Sequence, residues 1–272
     1  MDVGHGQQES AGRMEWGERG AAAICPGANY SVIVDILSFT TALSVAIDAG
    51  AEVFPYRWRD ESAAAFARRH DAVLAVGRSA ASMPAASAPV SLSPASIRSA
   101  TGLTRLVLPS PNGSALASQL AHRGAVILGA CLRNRMAVAQ RLASRVAARK
   151  PQQVVAVVAA GERRADCSLR PAIEDLWGAG AVISALADLG LTGLSPEARA
   201  AAAAFAAVAA NLPAELAATS SGRELASIGF GQDVAVAAEL DASASVPTLT
   251  GARFVDASHG PMSHIGCTDA PT

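Results

Sequence analysis

Short apolar runs alternate with longer stretches of helical period from about residue 30 to residue 189 of the 272-residue chain. The apolar runs are rich in Val, Ile and Leu, which is typical of strands buried on both faces of a parallel sheet. The pattern predicts strands over 30–37, 52–55, 72–76, 106–108, 125–128 and 154–159, and helices over 41–49, 62–69, 113–122, 134–149 and 172–189. This β–α alternation predicts a three-layer α/β/α fold with a mainly parallel or mixed sheet.

The pattern changes after about residue 190. Ser195-Pro196-Glu197 is a helix start with proline in the first turn, and it predicts a helix to about residue 210. Two or three shorter helices are expected to follow, and then a hairpin over 246–255 that turns at Thr250-Gly251. Residues 83–100 are rich in Ser, Pro and Ala and predict a surface loop. We therefore expect a helical C-terminal portion that packs on the same core as the sheet.

Both ends of the chain are polar and aperiodic, which is typical of flexible tails. The expected organisation is a flexible N-terminal tail over 1–22, a single α/β domain over 23–256 and a flexible C-terminal tail over 257–272.

The composition excludes several classes of partner. The chain is 51% hydrophobic and 17% charged, with a formal net charge of −1, which argues against a nucleic-acid or membrane-surface protein. The first 20 residues have no apolar core of a signal peptide, and the longest apolar stretch, 200–210, is too short to cross a bilayer. The four cysteines form no C-x-x-C pair, as expected of reduced thiols. These features predict a cytoplasmic protein and leave homo-oligomer formation open.

Asp35 is the most informative residue, because it ends the apolar run Val32-Ile33-Val34. A carboxylate there is costly to bury unless a metal, a cation or several donors meet it. Thr40 and Thr41 follow at the start of a helix, so their hydroxyls and amides can point to the same place. Open α/β sheets build ligand sites beyond the carboxyl ends of their strands in this way. The alternative interpretation is that Asp35 only caps the turn.

A second candidate site lies where the strand over 106–108 meets the next helix. Gly113 would let the backbone approach a ligand, and Ser110, Asn112 and Ser114 supply short donors. The helix N-terminus adds free amides, so this loop suits a phosphate or sulfonate. An ordinary capped strand–helix turn explains the same residues, and the spacing of a P-loop is absent.

Two further strand–helix junctions carry charged residues. Arg133 can fork onto an anionic substrate, and Asn134 can cap the helix or donate to a ligand. Glu174 and Asp175 at a helix start either favour the helix dipole or, together with Asp35, hold Mg²⁺ through hard oxygen ligands. The sequence has no G-x-S-x-G, H-E-x-x-H or G-x-G-x-x-G motif, so serine, zinc and dinucleotide chemistry are unsupported.

Taken in order, these segments resemble the 2-phosphosulfolactate phosphatase family, the Mg²⁺-dependent enzymes of coenzyme M and sulfolactate metabolism. The resemblance runs from about residue 29 to residue 255. It rests on V-I-V-D-I-L-S-F-T-T over 32–41, P-N-G-S over 111–114, the 129–134 junction, Ala160-Gly161, E-D-L-x-x-A-G over 174–180, S-G-R-E-L over 221–225 and the 229–238 segment.

The chain departs from the family pattern at three places. The family usually carries Arg where this chain has Ser38, and Gly-Glu-Arg where this chain has Gly77-Arg78-Ser79. The loop usually written Thr-Thr-Asn-Gly-Thr here begins Ser110-Pro111. Loss of an arginine and an acid would retune charge recognition, and we expect Arg133 and either Arg163 or Arg164 to compensate.

The resemblance implies Mg²⁺-dependent hydrolysis of a small anionic phosphate ester, with 2-phosphosulfolactate as substrate. Asp35 with Glu174 or Asp175 would hold the metal, although direct attack of Asp35 on phosphorus stays open. Arg133 would neutralise charge, and the substrate contacts would come from Thr40, Thr41, Ser110, Asn112, Gly113, Ser114 and Asn134. The rival hypotheses are a phosphatase for a different phospho-hydroxy acid and a non-catalytic anion-binding homologue.

Overall fold

The structure, a computed structural model, describes residues 7–78, 90–121, 124–146 and 153–259. Its strands are β1 (Gly12–Trp16), β2 (Tyr30–Val34), β3 (Glu52–Tyr56), β4 (Val73–Leu74), β5 (Arg105–Pro109), β6 (Val126–Ala130), β7 (Val155–Ala159), β8 (Glu162–Arg163), β9 (Leu169–Arg170), β10 (Pro247–Thr250) and β11 (Arg253–Asp256). Its helices are α1 (Gly17–Ile24), α2 (Phe39–Asp48), α3 (Glu61–Arg69), α4 (Pro94–Ser99), α5 (Gly113–Leu120), α6 (Arg135–Val146), α7 (Ile173–Asp188), α8 (Pro196–Val208), α9 (Leu212–Ala218), α10 (Ser220–Ser227) and α11 (Gly231–Ala237).

Nine strands form one mixed sheet in the order β1-β7-β2-β6-β10-β11-β3-β5-β4. The strands β1, β7, β2 and β6 are parallel, so their carboxyl ends share one edge of the sheet. The predicted C-terminal hairpin is present as β10 and β11, and it enters the sheet antiparallel between β6 and β3. The remaining two strands, β8 and β9, form a small hairpin that follows β7.

Helices cover both faces of the sheet, as the alternation predicts. Val32 and Val34 of β2 pack in a cluster with buried residues of α6, α7 and α8, whereas Ile33 packs on the opposite face with α2 and α5. The apolar run of β2 is continuous because both of its faces are buried. The three-layer α/β prediction is confirmed.

The predicted N-terminal tail over 1–22 is wrong from Gly12 onward, because β1 and α1 lie there. All five residues of β1 pair with β7. The strand was missed because it carries Arg13, a charged residue that is buried here. The Arg13 guanidinium donates to backbone carbonyls, including those of Ile24 and Pro26, and this local arrangement leaves no mark in the hydropathy pattern.

The predicted loop over 83–100 is wrong for its last third, where α4 lies. Ser93 caps this helix by accepting from the Ser96 amide, and Pro94 occupies its first turn, a common helix start that the Ser/Pro-rich composition concealed. Residues 83–89 of that segment lie outside the described residues, as does most of the predicted C-terminal tail, from residue 260 onward.

The helices α8 and α9 lie in one apolar run, Pro196–Ala218, with a mean hydropathy of 1.4. Within the described ranges it is the one helical run long and apolar enough to cross a membrane by length and composition, which corrects the expectation that no stretch reaches that length. Core helices of globular proteins meet the same two criteria. Here α8 packs closely on α7, since a Cβ on Gly180 would lie 2.0 Å from the Ala201 carbonyl oxygen.

Candidate active site

Asp35 stands directly after β2, and its carboxylate is held by two backbone amides. Oδ1 accepts from the Phe39 amide at 3.2 Å, at the start of α2, and Oδ2 accepts from the Gly113 amide at 2.9 Å, at the start of α5. The side chain is 5% exposed. The strand end and two helix starts therefore meet at one carboxylate, which is fixed in position and orientation.

Gly113 is required by this close approach rather than by its backbone angles. A Cβ at this position would lie 2.2 Å from the Phe39 ring and 2.8 Å from Asp35 Oδ2. Such distances are far inside van der Waals contact, so any side chain here would push the α5 amide away from Asp35.

Asp175, in the first turn of α7, is held in the same manner. Its Oδ1 accepts from the Ile36 amide at 2.7 Å and its Oδ2 from the Gly161 amide at 2.8 Å. It therefore ties the residue after Asp35 to the loop that follows β7. Asp175 is buried and does not line the cleft beside Asp35.

Four carboxylates lie close enough to repel one another: Asp35, Glu162, Glu174 and Asp175. Burial raises the pKa of Asp35, and the neighbouring Glu174 raises it further, although the two amides and Arg78 oppose the shift. Burial, Asp35 and Glu174 together raise the pKa of Asp175 well above its ordinary value. Ionisation of these carboxyl groups together is therefore unfavourable without a cation, and a bound cation would offset their repulsion.

Glu162 follows β7 by three residues and borders the same cleft. Its Oε2 accepts from Asn112 Nδ2 at 2.9 Å, which joins the β8 hairpin to the loop before α5. Burial and the charge of Asp35 raise the pKa of Glu162 to about 7. Its carboxyl group is therefore poised to exchange a proton near neutral pH.

Two arginines face these acids across the cleft. Arg78 Nε donates to Asp233 Oδ2 at 2.9 Å, and Arg78 Nη2 donates to Ser38 Oγ at 2.8 Å. Asp233 is 1% exposed and also accepts from the Ser93 hydroxyl, so its carboxylate is fixed and in turn holds the Arg78 guanidinium in position. Arg59 also lines the cleft. Partial burial and repulsion from Arg78 lower its pKa, whereas Asp35 and Glu162 oppose that shift.

The cleft has two lobes that meet at Pro111, Asn112 and Glu162. The smaller lobe, about 180 Å³, contains Asp35 together with the two arginines. The larger lobe, about 570 Å³, extends towards the end of β1. Both lie beyond the carboxyl ends of parallel strands, the usual position of ligand sites in open α/β sheets.

The model of one protein family, described as 2-phosphosulpholactate phosphatase, matches residues 18–252. The chain belongs to this family. A comparison with curated proteins gave no match. Because the family is one of phosphoric monoester hydrolases, the predicted family and enzyme class are confirmed.

In this member of the 2-phosphosulpholactate phosphatase family, two of the departures from the pattern lie against each other. Arg78 donates to Ser38, so its guanidinium brings a positive charge beside the position where the family usually carries Arg. The arginines expected to compensate are engaged elsewhere: Arg163 with Glu18, and Arg164 with the Leu169 carbonyl. Ser79 lies outside the described residues.

The structure does not bring Arg133 to Asp35. Its guanidinium donates to Ser44 Oγ at 2.9 Å, Asp48 Oδ2 at 3.1 Å and Glu239 Oε2 at 3.0 Å. Arg133 is buried and lines neither lobe of the cleft, so the structure does not bring the predicted catalytic arginine to the candidate site. The sequence placed Arg133 after a parallel strand. It could not show that Asp48 on α2 and Glu239 would pair with this arginine.

Four predicted substrate contacts are instead used to hold the backbone. The hydroxyls of Thr40 and Thr41 donate to the Asp35 and Ile36 carbonyls, and that of Ser114 donates to the Leu108 carbonyl. Asn134 accepts from the Cys131 amide at 2.8 Å. All four side chains are buried, and none lines the cleft.

Of the predicted substrate contacts, Ser110 and Asn112 line the lobe with Asp35, and the Gly113 amide is taken by Asp35 itself. Sequence reasoning missed Arg59, Arg78, Glu162 and Asp233 as parts of the site. Glu162 carried a usable signal, because it closely follows a buried strand as Asp35 does. Arg59 and Asp233 carried none, since only the tertiary fold brings Arg59 to the cleft and Asp233 against Arg78.

The carboxylates of the site fit Mg²⁺ as an open site rather than as a cage. Across the described ranges, no group of three or more His, Cys, Asp or Glu side chains has the arrangement of a metal site, so Asp35, Glu174 and Asp175 do not form a ready-made cage. Mg²⁺ is usually held by one or two carboxylates, with waters and a substrate phosphate completing its shell. Asp35 and Glu162 both line the cleft and supply such oxygens, and the repulsion within the cluster favours a cation.

Proposed function

We propose that this chain is a Mg²⁺-dependent phosphatase that hydrolyses 2-phosphosulfolactate to sulfolactate and phosphate. The observation that carries the proposal is the smaller lobe of the cleft, where Asp35 and Glu162 face Arg59 and Arg78. A cavity lined by both charge types suits a substrate that carries a metal-bound phosphate and further anionic groups. Family membership supports the reaction class.

Asp35 and Glu162 would hold the cation, and Glu174 would strengthen its attraction through charge alone. Bound Mg²⁺ supplies charge neutralisation at the phosphoryl group and lowers the pKa of a coordinated water. Arg59 and Arg78 bind the carboxylate and sulfonate of the substrate and so orient its phosphate towards Asp35. The side-chain amide of Asn112 donates to Glu162 Oε2 and so holds this carboxyl group in position.

We also propose that the enzyme works in the cytoplasm, in coenzyme M or sulfolactate metabolism. The near-zero net charge and the predicted reduced cysteines support this location. Cys25 and Cys131 are buried thiols, and Cys167 is an exposed thiol.

A substrate panel tests the proposed function. Phosphate release with Mg²⁺ would be measured for 2-phosphosulfolactate, 2-phospholactate and isopropyl phosphate, which share one secondary alcohol skeleton and differ in their anionic groups. We expect kcat/KM to fall in that order, by about tenfold for each charge-assisted hydrogen bond that the substrate cannot form. Equal rates for all three would contradict recognition by the arginines, and calorimetric binding without phosphate release would indicate a non-catalytic homologue.

The pKa of Glu162 gives a stability prediction for the metal-free protein. The folded state holds this proton up to about pH 7, whereas the unfolded chain loses it near the ordinary value of 4.5. Between these values the folded state binds more protons, so the contribution of Glu162 to the free energy of unfolding falls as pH rises. Wild type should therefore lose stability relative to Glu162→Gln between about pH 5 and about pH 8.

Urea denaturation in chelator at the two pH values measures this difference. Addition of Mg²⁺ should stabilise wild type more at the higher pH, because the ionised carboxylate is the ligand. An identical pH dependence of unfolding for wild type and Glu162→Gln would show that the carboxyl group is not perturbed by its surroundings.

A further inference from the structure

We infer that the larger lobe of the cleft can bind an uncharged, apolar side group on the alcohol portion of a substrate, so that the enzyme also accepts phospho-hydroxy acids larger than the three-carbon acid proposed above. This inference rests on the proposed phosphatase function. The two lobes adjoin each other, because Pro111, Asn112 and Glu162 line both of them. A phosphate bound at Asp35 would thus have its alcohol portion at the mouth of the second lobe.

Size is the first argument. The lobe with Asp35 measures about 180 Å³, and the adjoining lobe measures about 570 Å³. The larger volume lies within the range typical of pockets for organic ligands, about 300–1,000 Å³, and a three-carbon acid would leave it unused.

One part of the wall of the larger lobe is apolar, and neighbouring strand ends build it. Trp16 ends β1, Ala160 follows β7, and both lie at the edge of the sheet where Asp35 follows β2. Leu169 of β9 completes the wall. A Cβ at Gly161 would lie 2.7 Å from Leu169 Cδ1, so this side chain lies directly over the chain that connects β7 to Glu162. Leu169 is 39% exposed, so its side chain is accessible to a ligand in the lobe.

Charge decides what kind of group fits. Two arginines, Arg19 and Arg163, line the lobe, and Arg163 pairs with Glu18. The lining also contains three acids: Glu18, Glu162 and Asp166. The acids of this lining outnumber its arginines, whereas the smaller lobe has two arginines and two acids, so the larger lobe is the less favourable place for a second anion. An uncharged apolar or aromatic group gains most from contact with Trp16 and Leu169, because its burial removes apolar surface from water.

Calorimetry with unreactive phosphonate analogues tests the inference. The pair is the analogue of 2-phospholactate and the analogue of 2-phospho-3-phenyllactate, which adds one phenyl ring. We expect the phenyl analogue to bind wild type about tenfold more tightly, since burying an aromatic ring contributes on this scale. Equal or weaker affinity of the phenyl analogue, or no binding of either, would overturn the inference.

A matched pair of variants locates the effect. Leu169→Ala should reduce the preference for the phenyl analogue by about threefold or more. Leu189→Ala removes the same side chain at the same 39% exposure, at the end of α7 and outside the lobe, and should leave the preference unchanged. Equal effects of both variants would place the ring outside the lobe.

A chemical block gives a readout that does not depend on how a variant folds. Cys167 is exposed and lines the larger lobe, so N-ethylmaleimide attached there should weaken binding of the phenyl analogue while that of the smaller analogue persists. Cys167→Ser treated in the same way should keep both affinities, and loss of the phenyl preference in that variant too would contradict the assignment. Phosphate release from the two phosphate esters is measured separately, so binding without turnover would count against the proposed function and not against the subsite.

Discussion

Replacement of Asp35 by Asn is expected to reduce kcat for phosphate release by about a thousandfold, because the variant loses the charge at the centre of the cleft. It should also cost stability. Both Asp35 oxygens accept backbone amides, and an Asn side chain offers one oxygen and one NH₂ group to the same two donors. One buried donor is left unpaired, at a cost of about 1–3 kcal/mol.

Asp175→Asn is the matched control, because Asp175 is equally buried and also accepts two backbone amides. The same donor mismatch should lower its free energy of unfolding by a similar amount in urea denaturation. Since Asp175 does not line the cleft, its kcat should fall much less than that of Asp35→Asn. Equal losses of kcat in the two variants would mean that Asp35 acts only by holding the two helix starts.

Replacement of Arg78 by Gln is expected to raise KM for 2-phosphosulfolactate and to lower kcat/KM by about tenfold to a hundredfold, the range for one charge-assisted hydrogen bond. Isopropyl phosphate has neither carboxylate nor sulfonate, so its kcat/KM should change much less. This difference between the two substrates separates loss of contacts to the substrate's anionic groups from a general loss of stability or activity. The variant should also lose stability, because Asp233 would keep a buried charge without its cation.

Arg253→Gln serves as the control for Arg78→Gln. Its Nε lies 2.9 Å from Glu52 Oε1, the same separation as between Arg78 Nε and Asp233, but Arg253 does not line the cleft. We expect no change in the ratio of kcat/KM between the two substrates. If Arg78→Gln also left this ratio unchanged, then Arg78 would be a structural partner of Asp233 only.

The fold could be predicted largely because β2 and its neighbours are buried on both faces. Continuous apolar runs with helical stretches between them leave few alternatives to a layered α/β sheet. The prediction failed at β1, where Arg13 satisfies its charge with backbone carbonyls, and at α4, where Ser93 and Pro94 start a helix inside a Ser/Pro-rich segment. In both places, local hydrogen bonds overrode the composition.

The site could be predicted only in part, since the local spacing of residues does not show which distant parts of the chain become neighbours in the fold. The position of Asp35 after an apolar strand pointed to the edge of the sheet where the cleft lies. The same reasoning selected Arg133, which also follows a parallel strand, but Asp48 and Glu239 hold it away from the cleft. Arg78 comes from a segment that lacks an acid of the family pattern, and its hydrogen bond to Ser38 joins residues 40 positions apart.

The most direct test of the central claim is phosphate release from 2-phosphosulfolactate by the wild-type chain during a Mg²⁺ titration, with excess chelator as the end point. The arrangement of Asp35 and Glu162 predicts that turnover rises with Mg²⁺, vanishes in chelator and returns when Mg²⁺ is restored. Undiminished phosphate release in excess chelator would contradict the proposed role of these carboxylates as ligands of a catalytic cation.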